Sequence, residues 1–523
     1  QLEAVACKDW LTNKVDRCVT GRVAKQQTAG PVQLPLNNLG IMALDYRGIK
    51  GIATSIGHAP ISALIDPVAG SQASIAEALT NIIWAPIADG LGGISLSANW
   101  MWPAKNEGEN ARLYDAVKGI SDFACELGIN IPTGKDSLSM TQKYKNDVVY
   151  SPGTVIITAV GEVSQINATV EPVLQPNTDS TLMYIDLSGD DFKLGGSSFA
   201  QVVNKVGTSA PSIKDAKQFA ATFTAVQNLI SERMILAGHD ISAGGMITAL
   251  LEMTFAEPKV GLNIDLSGIA AADDIQLLFS EKSGILVQVA NENVEMVISA
   301  MSGAKAYAIG TVTDNREASI VTKENTYVLD IDSLRDTWYK TSYLLDAKQT
   351  ASGKAKERFD NYKNQALEYI FPKDFKGAYA DLGLNPDRKK RSGVKAAIIR
   401  EKGVNGDREM AYAMHLAGFD VKDVHMTDLI SGREDLSDVN FIAFVGGFSN
   451  SDVLGSAKGW AGAFLYNEKA KAALDAFYAR ENTASLGICN GCQLMGELGL
   501  LYPEHDVHPK LEHNESGKFE SGF

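Results

Sequence analysis

Cysteine is scarce in this sequence: five residues in 523, at Cys7, Cys18, Cys125, Cys489 and Cys492. Five scattered thiols make no disulfide framework, so a reducing, cytoplasmic setting is the simpler expectation. No apolar run reaches the ~18 residues that a membrane-spanning helix needs, and no membrane partner is expected. A cationic excess is lacking too: 48 Lys and Arg stand against 63 Asp and Glu, a net charge of −15. That excludes a general nucleic-acid binder, which must neutralise phosphates with a cationic surface. Small phosphorylated ligands stay open, because backbone amides and metal ions hold those. Residues 1–9 lack the basic-then-apolar order of a secretory signal. They also lack an initiating Met, as expected of a chain that starts inside a longer one.

Ordinary globular composition is what is present, with 45% hydrophobic and 21% charged residues. At about 150 residues per domain, the length predicts three or four domains. Val155, Ile156 and Ile157, and the run from Leu182 to Ile185, read as buried strands, whereas Ile75, Leu79, Ile82 and Ile83 recur at helical spacing. The class is therefore mixed α and β. Leu334, Trp338 and Leu345 fit an amphipathic helix, the lysine-rich stretch after it reads as linker, and the basic run Asp387-Arg388-Lys389-Lys390-Arg391 as a solvated tether. A new unit starts at Gly393. Buried strands at 396–399, 441–445 and 484–488, with a helix at 407–416 stopped by Gly418, predict a parallel, doubly wound sheet.

Four constellations carry possible chemistry. The sharpest is Gly487-Ile488-Cys489-Asn490-Gly491-Cys492, after an apolar strand and before a helical pattern. Gly-x-Cys-x-Gly is the cysteine version of the nucleophile elbow: the glycines permit a tight turn, and the helix N-terminus favours a thiolate and supplies oxyanion donors. A Cys-x-x-Cys redox pair and two plain buried cysteines are the rival readings. Gly446-Gly447-Phe448-Ser449 follows the neighbouring strand and turns toward the same crevice. His505, His508 and His513 follow closely, and their spacing singles out no base. The second constellation is Glu77 and Asn81, four apart on one helical face. A carboxylate and an amide oxygen suit Mg²⁺, although surface Glu/Asn pairs are common. The third, Gly134-Lys135-Asp136-Ser137, suits a phosphate but is no P-loop, and a polar turn before a strand explains it equally. The fourth, from Gly238 through His239, Asp240 and Ser242 to Gly245, lets a ligand approach the backbone, with Asp240 for metal and Ser242 for phosphate. The alternative is a glycine-rich helix start capped by Asp240 or Ser242.

These segments recur in order with Asp16-Arg17-Cys18-Val19-Thr20-Gly21-Arg22, Leu96-Ser97-Ala98-Asn99-Trp100-Met101 and Trp338-Tyr339-Lys340-Thr341-Ser342-Tyr343. Together they resemble, nearly end to end, the long single-chain phosphoribosylformylglycinamidine synthases, the glutamine-dependent ligases of purine biosynthesis. The resemblance implies an α/β and α+β multidomain chain. Residues 1–29 would be a leading segment, 30–165 and 166–330 the N- and C-terminal units of an aminoimidazole-ribonucleotide-synthetase-like second copy, and 331–392 a helical linker. Residues 393–523 would be a truncated, doubly wound class I glutamine amidotransferase domain.

The resemblance also implies that the complete enzyme converts formylglycinamide ribonucleotide, ATP and glutamine to formylglycinamidine ribonucleotide, ADP, phosphate and glutamate. Cys489 matches the glutaminase nucleophile, and Gly447, Phe448 and Gly491 the oxyanion and glutamine pocket. Glu77, Asn81 and Asp240 match Mg²⁺ ligands on a bound ATP or ADP. Asn38 stands where long forms can carry an aspartate ligand, and an amide there is a weaker, neutral one. Ser242 and Asn37 fall with the nucleotide contacts, and Gly134 and Ser137 where the short form has ATP and substrate contacts. Asn450 and Ser451 replace the Tyr-Gly usual after Gly-Gly-Phe-Ser. The first synthetase half and the rest of the amidotransferase domain, with its histidine and acidic triad partners, are expected elsewhere in the parent chain. The fragment alone is expected to be inactive, or to serve as a scaffold stabilised by nucleotide and Mg²⁺ without turnover.

Overall fold

The computed structural model describes residues 1–301, 303–364 and 366–521. They fall into two units: one spans Gln1–Glu368 and takes in the segment from Glu515, the other spans Tyr369–Asn514.

In the first unit, strands β1 (Val23–Lys25), β2 (Leu39–Ala43), β3 (Gly51–His58), β4 (Ile94–Met101), β5 (Asn130–Ser137) and β8 (Thr154–Val163) form a six-stranded sheet in the order β1-β2-β3-β8-β4-β5. The short strands β6 (Thr141–Lys143) and β7 (Val148–Tyr150) pair beside it as a hairpin. Along β3, buried and exposed residues alternate without a break, the period-2 signature of a sheet covered on one face. The cover is the Pro67–Ile82 helix, whose N-cap Asp66 accepts hydrogen bonds from the Val68 and Ala69 amides. Its Ile75, Leu79 and Ile82 are fully buried. Helix and strand approach backbone to backbone at Gly57, where a Cβ would stand 2.2 Å from Ser74 O and 2.3 Å from Ala78 N. Gly57→Ala is therefore expected to cost about 1–3 kcal/mol, the overpacking range, and to lower the melting temperature of this unit in calorimetry; an unchanged transition would refute the close approach.

A second sheet holds β9 (Ser180–Asp186), β10 (Ile235–Asp240), β11 (Gly261–Asp265), β12 (Gly284–Ala290), β13 (Ala306–Thr313), β14 (Glu317–Val321) and β15 (Thr326–Asp330), in the order β10-β12-β9-β13-β11-β14-β15. Strands β9 and β12 are buried almost throughout, which is why they read as continuous apolar runs. The Gly245–Phe255 helix starts five residues after β10 ends and packs on the Ile331–Asp346 helix through Phe255 and Trp338, whose rings are 5.3 Å apart.

Part of the linker beyond Asp346 is helical. Lys354–Asn361 is a helix, and its Arg358 forks onto the buried Asp9, Nε to Oδ2 at 2.8 Å and Nη2 to Oδ1 at 2.9 Å. Tyr339 Oη donates to the same carboxylate at 2.6 Å. Paired in this way, Asp9 keeps its pKa below the ordinary range despite burial, which alone would raise it.

The second unit is built on β16 (Lys395–Arg400), β17 (Asp420–His425), β18 (Phe441–Phe444) and β19 (Ala484–Gly487), all parallel, in the order β17-β16-β18-β19. Its core gathers Phe444, Trp460, Phe464 and Phe477. The helix Asp407–Leu416 ends before Gly418, whose φ of 101° suits the C-terminal turn. Within the basic run, Arg388 is anchored rather than solvated: its guanidinium reaches Phe419 O at 2.6 Å and Asp420 Oδ1 at 3.3 Å. Among the described residues no helix is long and apolar enough to cross a membrane.

Candidate functional site

The first unit contains a cavity of about 170 Å³, lined among others by His58, Glu77, Gly196, Ser198, Ser242 and Glu281. Close packing at Gly57 sets the Glu77 side chain at the end of β3, where Oε2 accepts the His58 amide at 2.7 Å. Asn81, one turn on, donates to Ile56 O at 2.9 Å. Asp240 comes from the last residue of β10, and Asn38 Nδ2 donates to its Oδ1. The other oxygen, Asp240 Oδ2, is buried without a hydrogen-bond partner. A buried, unpartnered carboxylate oxygen is costly unless something cationic meets it.

Two further residues sit behind Asp240. His239 Nδ1–H donates to Asp240 O at 2.8 Å and lies 3.2 Å from Oδ1, while Nε2 faces Glu252 Oε2 at 3.5 Å. Trp338 Nε1 donates to Glu252 Oε1 at 2.9 Å, so the chain of contacts runs from Asp240 into the Ile331–Asp346 helix. Burial, helped by the Asp240 and Glu281 charges and opposed by the His58 amide, pushes Glu77 up to about 8. Burial likewise raises Glu252 to about 7, against the lowering pull of His239 and Trp338. For His239 burial lowers the pKa, yet the Asp240 hydrogen bonds and the two carboxylate charges prevail and lift it to about 9.

All three groups hold their proton more tightly folded than unfolded. The stability this confers is complete below about pH 4.5 for the carboxyls and is lost as pH climbs through 7 and 8; for His239 it is lost between about 6.5 and 9. The melting temperature of this unit is expected to fall between about pH 5 and pH 9, with Glu77→Gln flattening part of the fall. A pH-independent transition in a calorimetric series would contradict the assignment.

Other residues singled out from the sequence lie as follows. Asn37 Nδ2 is engaged with Gln26 O at 2.6 Å and Thr28 O at 3.0 Å, and its Oδ1 is buried without a partner. Ser242 O accepts the Gly245 amide at 3.0 Å in the turn after β10. That turn corrects the capping alternative: the N-cap of the next helix is Gly244, and no side chain caps it. Gly134 and Ser137 occupy neither a phosphate loop nor a polar turn; they lie on edge strand β5, parallel to β4 with Gly134 opposite Ala98 and Ser137 opposite Met101. A strand in place of a turn follows from the partner: a Cβ at Gly134 would stand 2.2 Å from Ala98 O.

Glu281 had no role in the sequence reading. Its Oε1 accepts both the Ser198 and the Gly244 amides, each at 2.7 Å, and burial raises its pKa. The available signal was Glu281-Lys282, a charged pair one residue short of the apolar strand β12.

The second unit raises Cys489 on a strained turn between β19 and the Asn490–Glu497 helix, with φ 52° and ψ −110°. Non-glycine residues rarely adopt positive φ, and such strain clusters at functional positions. Gly491 makes the turn possible, because a Cβ there would stand 2.1 Å from Phe444 O. A Cβ on Gly446 would lie 3.2 Å from Cys489 Cβ, so the turn after β18 stands against Cys489. Two amides on this rim are already engaged: Phe448 N–H donates to Gly403 O at 3.1 Å and Gly491 N–H to Ile488 O at 2.8 Å. Asn490 N–H, first in its helix, has no intrahelical acceptor by geometry, and Gly447, at φ 118°, bridges to Val404. The Asn490 side chain locks the rim, accepting the Ser449 amide at 3.3 Å and donating to Asp452 Oδ1 at 3.3 Å and Gln493 Oε1 at 3.1 Å. Cys492 lies inside the helix and is half-buried. His505 sits beside Glu504 at 3.6 Å and Tyr502.

Asn450, Ser451 and Asp452 follow one another in the left-handed region at φ 51°, 56° and 51°. Ser451 is where the resemblance placed glycine. Left-handed backbone costs an L residue roughly 1–2 kcal/mol, partly offset by glycine's greater chain entropy. Ser451→Gly is therefore expected to stabilise the second unit by about 0.5–1 kcal/mol, and a destabilised variant in urea titration would contradict the conformation.

Three family profiles match the chain: an FGAR-AT PurM_N-like domain over residues 7–162, the C-terminal domain of AIR synthase related proteins over 184–323, and a CobB/CobQ-like glutamine amidotransferase domain over 393–523. A probable phosphoribosylformylglycinamidine synthase of Arabidopsis thaliana, chloroplastic/mitochondrial, is 40% identical over all of this chain and 37% of its own length. The phosphoribosylformylglycinamidine synthase of Homo sapiens is 38% identical over all of this chain and 40% of its own. The chain thus spans about two fifths of the length of the curated relatives it matches. Among solved structures, Thermotoga maritima PurL complexed with FGAR matches 57% of this chain and 48% of its own, with a TM-score of 0.46 and 15% identity. Over its whole length the chain is a homologue of part of the phosphoribosylformylglycinamidine synthases, built of a PurM-like N-terminal domain, an AIR-synthase-type C-terminal domain and a glutamine amidotransferase domain.

Proposed function

We propose that the chain is the part of a phosphoribosylformylglycinamidine synthase that carries a nucleotide site and the glutaminase nucleophile. The parent enzyme amidates formylglycinamide ribonucleotide with ammonia from glutamine at the expense of ATP. The observation that carries the reading is Cys489, raised on a strained strand-to-helix turn in a chain that also holds both synthase-type domains. Its thiolate attacks the glutamine carboxamide carbon, ammonia leaves, and water releases glutamate from the thioester. Asn490 N–H and the Gly447 turn would stabilise the oxyanion, and the Asn490 side chain accepts the Ser449 amide beside that turn. The reducing setting suits five free cysteines.

In the first unit, at 30–165 and 166–330, the residues fit Mg²⁺ with ADP or ATP. Glu77, Asn81, Asp240 and the neutral Asn38 offer hard oxygen ligands, and the orphaned Asp240 Oδ2 asks for a cation. Mg²⁺ would neutralise nucleotide phosphates there. Ser242 and Asn37 orient the nucleotide, and Gly134 and Ser137 on β5 face substrate. A second reading, a nucleotide scaffold without turnover, draws support from the way Glu77 and Asn38 tie β3 and β10 to their neighbours.

The test is to purify the chain, denature it, and identify released nucleotide by chromatography beside a magnesium assay. About one ADP per chain is the expected yield for a tight structural site. No nucleotide, even after incubation with ATP and Mg²⁺, would sink the nucleotide reading. Exchange of bound ADP with labelled ADP within a turnover time would rule out the scaffold.

A further inference from the structure

The cavity beside Glu77 has an electrostatic peculiarity. Two carboxyl side chains, Glu77 and Glu281, line it, Asp240 charges the same region, and among the described residues no lysine or arginine faces it. His58 is the one basic side chain among its lining residues. An anion entering such a place would ordinarily rely on backbone amides. Two of them, Ser198 N–H at the end of the Gly195–Ser198 loop and Gly244 N–H in the turn before the Gly245–Phe255 helix, are already taken. Glu281 Oε1 accepts the Ser198 amide and the Gly244 amide, both at 2.7 Å, and so binds the two glycine-rich loops to each other.

We propose that Glu281 is a built-in anion that fills this amide nest, so that the cavity admits a phosphorylated ligand only as its divalent-cation complex. The inference rests on the reading of the cavity as a nucleotide site and adds a specificity determinant to it. Glu281 takes the position a phosphate oxygen would prefer and adds a negative charge. Recognition is thereby handed to cations held by Glu77 and Asp240. The carboxylate acts through one oxygen. An E281Q variant keeps an Oε1 acceptor for both amides, whereas E281A uncovers them.

The experiment is calorimetric titration of the full chain with ADP and with inorganic phosphate, in Mg²⁺ and in EDTA, for wild type, E281A and E281Q. Wild type is expected to bind ADP in Mg²⁺ and to lose at least about 100-fold in EDTA, some 2.7 kcal/mol, and E281Q, which keeps the acceptor but not the charge, to lose less than wild type and more than E281A. E281A is expected to gain at least tenfold in affinity for ADP and phosphate in EDTA. Wild-type binding of ADP in EDTA within tenfold of that in Mg²⁺ would overturn the proposal. So would a folded E281A without the gain. Hydrogen exchange of the ligand-free wild type decides the matter even if E281A does not fold: slow exchange at Ser198 and Gly244 is expected, and fast exchange at both overturns the tie. Wild type that binds no Mg-ADP would defeat the nucleotide reading, while the EDTA gain and the exchange rates would still judge Glu281.

Discussion

Asp240→Asn is expected to lower the affinity of the chain for Mg-ADP by at least about 100-fold, close to 3 kcal/mol. The carboxylate sits at the end of β10, with one oxygen held by Asn38 and the other buried without a partner. Such an oxygen is poised for a cation, and an amide in its place removes the charge that draws Mg²⁺ away from water. Glu77→Gln is expected to act in the same direction, and the double variant to lose less than the sum, because both side chains would serve the same ion or ions. Stability moves the other way. The apo protein gains on the order of 1 kcal/mol from Glu77→Gln at pH 8, where the wild-type carboxyl, raised to about 8, is half ionised in a buried setting. Weaker binding with a higher melting temperature distinguishes ligand loss from damage to the fold. Unchanged Mg-ADP affinity in both single variants, by calorimetry, would remove the metal assignment.

Cys489→Ser is expected to abolish covalent capture of a glutamine-like electrophile, by at least about 1,000-fold, as deletion of a nucleophile does. Cys492→Ser should label within about threefold of wild type, since that thiol lies within the Asn490–Glu497 helix rather than on the strained turn. Gly491→Ala provides a control on geometry. Its Cβ would collide with Phe444 O at 2.1 Å, so the turn that lifts Cys489 must shift and labelling should fall with it. Peptide mass spectrometry of the labelled chain reads all three. Labelling that needs Cys492, or that survives Cys489→Ser, would favour a redox pair or a bystander thiol over the nucleophile.

What the sequence by itself determined was whatever depends on local order. The parallel strands of the second unit were legible because strands buried on both faces are continuous apolar runs, as at 396–399 and 441–445. The helix over Ile75, Leu79 and Ile82 was legible from its period, and Cys489 from glycines that only a tight turn requires. The resemblance to the synthases was legible because its motifs follow one another in order, and the relatives match the chain over its whole length.

Only the tertiary structure decided which polar groups meet. Nothing local tells that Gly134 belongs to an edge strand, for its conformation is set by pairing with Ala98, 36 positions away in sequence. The Arg358–Asp9 fork and the Asn38–Asp240 contact join residues 349 and 202 apart. Glu281 gains a role only when the Ser198 and Gly244 amides are brought to it by two separate loops. The reason is physical: apolar periodicity repeats every few residues and is written along the chain, whereas the partner of a buried carboxylate is selected by how sheets and helices stack. The site chemistry therefore emerges only once β3, β10 and the two glycine loops are placed side by side.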